Sequence, residues 1–207
     1  PSDPDAQAAL ERVGVTPGTF DASSLSDAQR AGLADVPGRV LDGMDDAVAS
    51  GEGGRISNGW RIPPMTLGDY GTQYPVRAVV AREGLGANLP EDAVYASTTV
   101  DAEDQPLEGG RTYTIDMPAD VPVKAFWSVT LYDERGNLLR GRDEGLTVSG
   151  TRESGAQRIV ISPDRPGDGP WLRAPDSGPY RLLMRLYWPD AEVLDGRWEF
   201  PPVIPAP

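Results

Sequence analysis

The chain has no histidine and no cysteine. Without imidazole there is no His-assisted serine or cysteine triad, no imidazole zinc site and no side chain that ordinarily titrates near neutrality. Without thiols there are no disulfides, thiol nucleophiles or thiolate metal centres, and the redox compartment leaves no trace in the sequence. Lysine is almost missing as well, since 18 of the 19 basic residues are arginine and only Lys124 is lysine. GC-rich coding accounts for that bias without any appeal to function. Long apolar runs are absent: VRAVVA, residues 76–81, is about the longest, far short of the roughly 20 residues of a membrane span. Positive charge is in deficit, and the formal net charge of -13 repels phosphate backbones and anionic lipid. The expectation is a chain with no nucleic-acid partner, no membrane insertion, no metal site and no cofactor, and one that leans away from being an enzyme. Any catalysis would fall to carboxylates, Tyr, Arg or Ser/Thr hydroxyls.

What is present is enough for one well-buried core and a smaller appendage in 207 residues. The 24 glycines and 21 prolines predict many turns. PDAQAALERV, residues 4–13, reads as a short helix, and residues 26–50 as two short helices interrupted at Pro37 and Gly38. GEGG at 51–54 closes that stretch. Residues 58–88 begin as a loop anchored by Trp60 and Tyr70, then turn helical over PVRAVVAREGLG. Residues 1–90 are therefore expected to be a helical and loop region packing on the domain that follows.

From about residue 92 the period changes to two. AVYASTTV, RTYTIDM, KAFWSVTLYD, GLTVSG, QRIVISP, YRLLMRLYWP and VLDGRWEF are short segments rich in β-branched and aromatic residues, divided by Gly, Pro and Asp. Residues 91–207 read as the β domain. The fold class expected is mainly β with a helical N-terminal region, an antiparallel jelly-roll-like β-sandwich.

Several of these motifs occur together in a familiar order. NGW with PP, GDYGTQYPVRAVVAREGLGANLPEDAVY, FWSVTLYD, ISPDRPG, PWLRAPDSGPY, LLMRLYWP and LDGRWEFPP resemble the bacterial family called domain of unknown function 1214, over about 150 of the 207 residues. The resemblance implies a jelly-roll-like sandwich and an exported or envelope-associated protein, in a family often found downstream of a companion, domain of unknown function 1254. Here the companion is expected to be absent or truncated, and a start at Pro1 rather than Met is compatible with a removed leader or upstream domain. Family members tend to carry an Asn and then an Arg-Tyr pair where this chain has the compressed LLRGRDEGLTVSG, within residues 134–150.

The segment PYRLLMRLYWP poses the main functional question. In an extended chain Tyr180, Leu182, Met184, Leu186 and Trp188 face the core, leaving Arg181, Leu183, Arg185 and Tyr187 on the other side. KAFWSVTLYD likewise divides into Ala125, Trp127, Val129 and Leu131 against Phe126, Ser128, Thr130 and Tyr132. One reading makes Arg181 and Arg185 a clamp for a carboxylate or sulfate-like group, with Tyr132 or Tyr187 as a stacking wall and Asp133 at its edge. The plainer reading lets both arginines pair with acidic neighbours and pin the sheet.

Asp133, Asp164 and Asp195 sit near strand ends, where they serve either as turn formers or as general acids and bases in glycoside chemistry. DAEDQPLEGGRT, residues 101–112, starts with calcium-ligand spacing but places Pro106 and Thr112 where such a loop needs Gly and Glu. Residues 162–180 form a long loop whose Trp171 and Leu172 either line a ligand cleft or plug the end of the domain. Trp60, Trp188 and Trp198 are expected in the core or its seams. The function expected is a non-catalytic binding or assembly module, with a small anionic ligand, a glycan or a protein as its partner. The alternative is a carboxylate-dependent hydrolase or lyase.

Overall fold

The computed structural model describes residues 3–16, 18–51, 54–139 and 144–206. Contacts divide them into a smaller unit, residues 1–50 with 70–85, and a larger one, residues 51–69 with 86–207.

The smaller unit is helical. Helix α1, Pro4–Glu11, starts where the Asp3 carboxylate accepts the backbone N–H groups of Asp5 and Ala6, and a short hairpin of β1, Val15–Thr16, and β2, Thr19–Phe20, follows it. Helix α2, Asp27–Ala34, opens on a capping box in which Ser26 and Gln29 satisfy each other's backbone donors. Helix α3 is Val36–Ser50 and α4 is Tyr74–Gly84. The interruption expected at Pro37 and Gly38 falls instead at Asp35, because proline in the first turn needs no N–H partner and opens α3 rather than ending it. Arg82 of α4 pairs with Asp45 of α3.

The larger unit is mostly β. Its strands are β3 Arg55–Ser57, β4 Trp60–Ile62, β5 Ala93–Thr98, β6 Tyr113–Met117, β7 Trp127–Asp133, β8 Thr147–Gly150, β9 Gln157–Ser162, β10 Trp171–Arg173, β11 Tyr180–Tyr187 and β12 Ile204–Pro205. Among the described residues they form a six-stranded sheet in the order β3-β4-β5-β11-β7-β8 and a four-stranded sheet in the order β10-β9-β6-β12. Pairing is antiparallel except between β10 and β9. One apolar core draws on both sheets: Trp60, Val94, Ala96, Trp127, Val129, Leu131, Leu182, Met184 and Leu186 from the first, with Tyr113, Ile115, Ile159, Ile161 and Leu172 from the second. Burying each aliphatic side chain of that kind contributes about 1.5–3 kcal/mol.

The larger unit departs from the sequence reading in four places. Strands begin before residue 92, since β3 and β4 join the large sheet and Trp60 is a fully buried strand residue whose indole N–H donates to the Pro201 carbonyl at 2.8 Å. The segment 193–200 is not a strand. Asp190 instead opens the single helical turn α5, Ala191–Leu194, and the chain then turns at Gly196, whose φ of +83° suits glycine, before Phe200 enters the core. The long loop carries β10, whose Trp171 and Leu172 are buried and pair with β9.

The fourth departure is Trp188, which leaves the core pattern of β11 with a left-handed φ of +50° and is 58% exposed. Its backbone is held from both sides, by the Asp92 carbonyl and the Lys124 N–H. Ordinary alternation therefore stops at Tyr187.

Candidate functional site

Strand β11 lies between β5 and β7, and the register decides which side chains meet. Arg185 stands opposite Tyr95 on β5 and Ser128 on β7, Leu183 opposite Ser97 and Thr130, and Arg181 opposite Tyr132. Alternation buries Tyr180, Leu182, Met184 and Leu186 on the inner face, so the outer face of three adjacent strands carries the two arginines together with Tyr95, Tyr132, Tyr187, Ser128 and Thr130.

Arg185 is the centre of this face. One Nη donates to Thr130 Oγ1 at 3.0 Å and the other to the Tyr132 hydroxyl at 2.5 Å. Its guanidinium carbon lies 5.7 Å from the centre of the Tyr132 ring and 6.0 Å from that of Tyr95, within cation–π range of both. Thr130 Oγ1 is itself 3.0 Å from Thr147 Oγ1 on β8. Acceptors around the guanidinium are thus neutral hydroxyls. No ion pair joins Arg185 or Arg181 to a carboxylate among the described residues. The plainer sequence reading, cross-strand pairing with an acid, is realised instead on the other sheet, where Arg158 of β9 grips its register partner Asp116 of β6 through Nε at 2.6 Å and Nη2 at 2.9 Å.

Aromatic rings continue the face beyond Arg185. Phe126 stacks on Tyr187 with centres 4.4 Å apart and planes 19° apart, and Tyr187 meets Tyr95 edge-on at 6.1 Å. The Tyr95 hydroxyl donates to Asn88 Oδ1 at 3.0 Å and lies 3.5 Å from that of Tyr187. Burial and the Tyr187 hydroxyl push the Tyr95 phenol up to about 12, so it is a neutral donor at physiological pH.

Of the residues singled out by sequence, the structure brings Arg185 and Tyr132 into direct contact. Arg181 lies four residues from Arg185, about 13 Å along the strand, with its guanidinium against Gly136 in the turn after β7. Asp133 is committed to that same turn: its carboxylate accepts the Asn137 backbone N–H at 2.7 Å, which holds its pKa below the usual carboxylate range. Asp195 is likewise held low by its own neighbour Arg197 at 2.9 Å. Asp101, at the start of the acidic loop, is buried and accepts the N–H groups of Glu103 and Gln105. Residues 140–143, inside the compressed segment, lie outside the described residues.

Sequence reasoning missed Tyr95. The alternation in AVYASTTV puts Tyr95 and Ser97 on one face, but nothing local says that β5 is the neighbour of β11. A second feature, an open depression in the helical unit lined by Asp3, Ala6, Leu10 and Tyr74, is mainly apolar, and its one carboxylate already caps α1 and accepts the Tyr74 hydroxyl at 2.9 Å.

Comparison with known proteins adds a family match and the fold. No curated protein matches the chain. The crystal structure of the VPA0106 protein from Vibrio parahaemolyticus is similar over 98% of this chain, with a TM-score of 0.67 and 19% identity, a likeness in fold. This chain spans about half of that protein, 51% of its length. A putative uncharacterized protein from Burkholderia cenocepacia aligns over 63% of this chain and 33% of its own, at 18% identity and a TM-score of 0.46. Residues 92–191, a shorter span than the motifs suggested, match the family model described as protein of unknown function (DUF1214).

Proposed function

We propose that the protein is a non-catalytic binding module and that its ligand carries an anionic group received by Arg185. The observation that carries this reading is that no carboxylate among the described residues pairs with Arg185. In a chain with 32 acidic residues, this half-buried guanidinium is held by two neutral hydroxyls and two tyrosine rings. Thr130 and Tyr132 take two of its five N–H donors. Fixing the cation with neutral acceptors leaves its charge and its remaining donors for a partner from outside.

Support for a carboxylate-dependent hydrolase or lyase is weaker. Glycoside hydrolysis ordinarily uses two carboxyl groups flanking one bond; of the aspartates singled out by sequence, Asp133 and Asp195 are each tied into their own turn, and no contact joins Asp164 to either among the described residues. The jelly-roll-like course of the strands and a place in the cell envelope belong to the same proposal, resting on family resemblance. Fractionation of cells carrying the full reading frame tests the location.

The test of binding is a thermal-shift series with acetate and sulfate on wild type and on Arg185→Gln. An anion at 100 times its dissociation constant adds about 2.7 kcal/mol, a rise of roughly 5–10 °C for a chain of this size. The reading expects that rise in the wild type and its loss in the variant. Equal melting curves for both proteins under every anion would refute it.

A further inference from the structure

We infer that the ligand received by Arg185 is an aromatic carboxylate. This rests on the reading of Arg185 as an anion site and names the chemical class that the surrounding face accepts. The cation supplies one positive charge, which suits a monoanion rather than a dianion in a chain of net charge -13. Beside it the surface is aromatic. Tyr187 lies two residues along β11 on the same face, about 7 Å away along the strand, with Phe126 stacked on it and 43% exposed. Tyr95 stands between them, 6.0 Å from the guanidinium and 6.1 Å from the Tyr187 ring. A carboxyl group bonded directly to a planar ring, docked on Arg185 at about 2.8 Å, carries that ring along the strand towards Tyr95 and Tyr187. There it finds edges and faces for offset or T-shaped contact.

The hydrogen-bonding groups on this face argue against a sugar acid. A uronic acid brings several hydroxyl groups that each need partners, and a site for it would present carboxylates or amides to them. Here Thr130 is occupied by Arg185 and Thr147, and the Tyr95 hydroxyl by Asn88. Leu183 occupies the position between the two arginines.

Calorimetric titration with benzoate, acetate, sulfate and galacturonate, on wild type, Arg185→Gln, Tyr187→Ala and Tyr187→Phe, tests the assignment. Benzoate is expected to bind at least tenfold more tightly than acetate or galacturonate. Tyr187→Ala should bring benzoate down to the acetate level, while Tyr187→Phe, which keeps the ring and controls for folding, should retain the preference. If acetate and benzoate bind equally and both need Arg185, the anion site stands and the aromatic assignment is overturned. Tighter binding of galacturonate than of benzoate also overturns it. If no anion binds, or if Arg185→Gln binds as well as wild type, both the assignment and the anion site fall.

Discussion

The Arg185 guanidinium donates to the Tyr132 hydroxyl at 2.5 Å while lying 5.7 Å from the centre of the same ring. One tyrosine thus holds the cation through a polar and an aromatic contact without neutralising it. The contrast is Arg158, whose register partner is Asp116 and whose charge is matched across the strand pair. Tyr132→Phe removes the acceptor and keeps the ring. It should lower stability by about 1 kcal/mol in urea unfolding and weaken anion binding less than Arg185→Gln does. A Tyr132→Phe variant as stable as wild type would mean that the hydroxyl does not anchor the arginine.

The two faces of β11 should respond differently to truncation. Leu182 is fully buried between β5 and β7, and Leu182→Ala is expected to cost about 2–5 kcal/mol. Leu183 is half-buried on the outer face and Leu183→Ala should cost less than half as much. Urea midpoints of the two variants measure the difference. Equal losses would show that the outer face is packed as tightly as the core.

Two glycines separate steric crowding from backbone strain. At Gly155, with φ +72° and ψ 179°, a backbone conformation nearly confined to glycine, and open space where a side chain would go, alanine should cost about 1–3 kcal/mol. At Gly109 a Cβ would come within 2.6 Å of the Pro175 carbonyl oxygen and 2.7 Å of the Ser177 nitrogen, both backbone atoms that have little room to yield. Gly109→Ala should therefore be the more damaging of the two. Thermal melts rank them, and the reverse order would contradict the close approach of these two loops.

Alkali should destabilise the fold through its tyrosines. Burial and Tyr187 raise the Tyr95 phenol from 10.0 to about 12, and burial raises Tyr180 as well. The folded state thus holds these protons more tightly than the unfolded chain. Their contribution is complete below about pH 10 and fades as pH climbs through the folded-state values. Urea midpoints followed from about pH 8 upwards should fall beyond pH 10, and less steeply in Tyr95→Phe. An identical slope in that variant would remove Tyr95 from the account.

Much of the fold is legible in the sequence because periodicity reports burial. The alternation of YRLLMRLY gives the inner and outer faces of β11, and FWSVTLY those of β7. What periodicity cannot report is adjacency. The contribution of Tyr95 depends on β5 pairing with β11 across almost ninety residues of chain, and that pairing is set by the global strand order. Local pattern also fails where irregular backbone overrides it. Trp188 reads as the next core residue, but its left-handed backbone turns it out of the strand. The tail from Val193 to Phe200 has strand-like composition, and the turn that starts at Asp190 coils it into α5 first. For the site, sequence alone identifies Arg185 and Tyr132 as sharing a mixed face but cannot tell an arginine held by an acid from one held by hydroxyls. Arg158 and Arg185 look alike until the register is known.

The central claim is that Arg185 receives an anion, and side-chain NMR of the arginine Nε–H groups tests it most directly. With the Arg185 signal assigned by its absence in Arg185→Gln, acetate is added stepwise to the wild-type protein. The account predicts that the Arg185 resonance moves and saturates while exposed arginines such as Arg197 stay nearly still. Small, unsaturating shifts spread evenly over all the arginines would contradict it and leave Arg185 as a structural cation of the sheet.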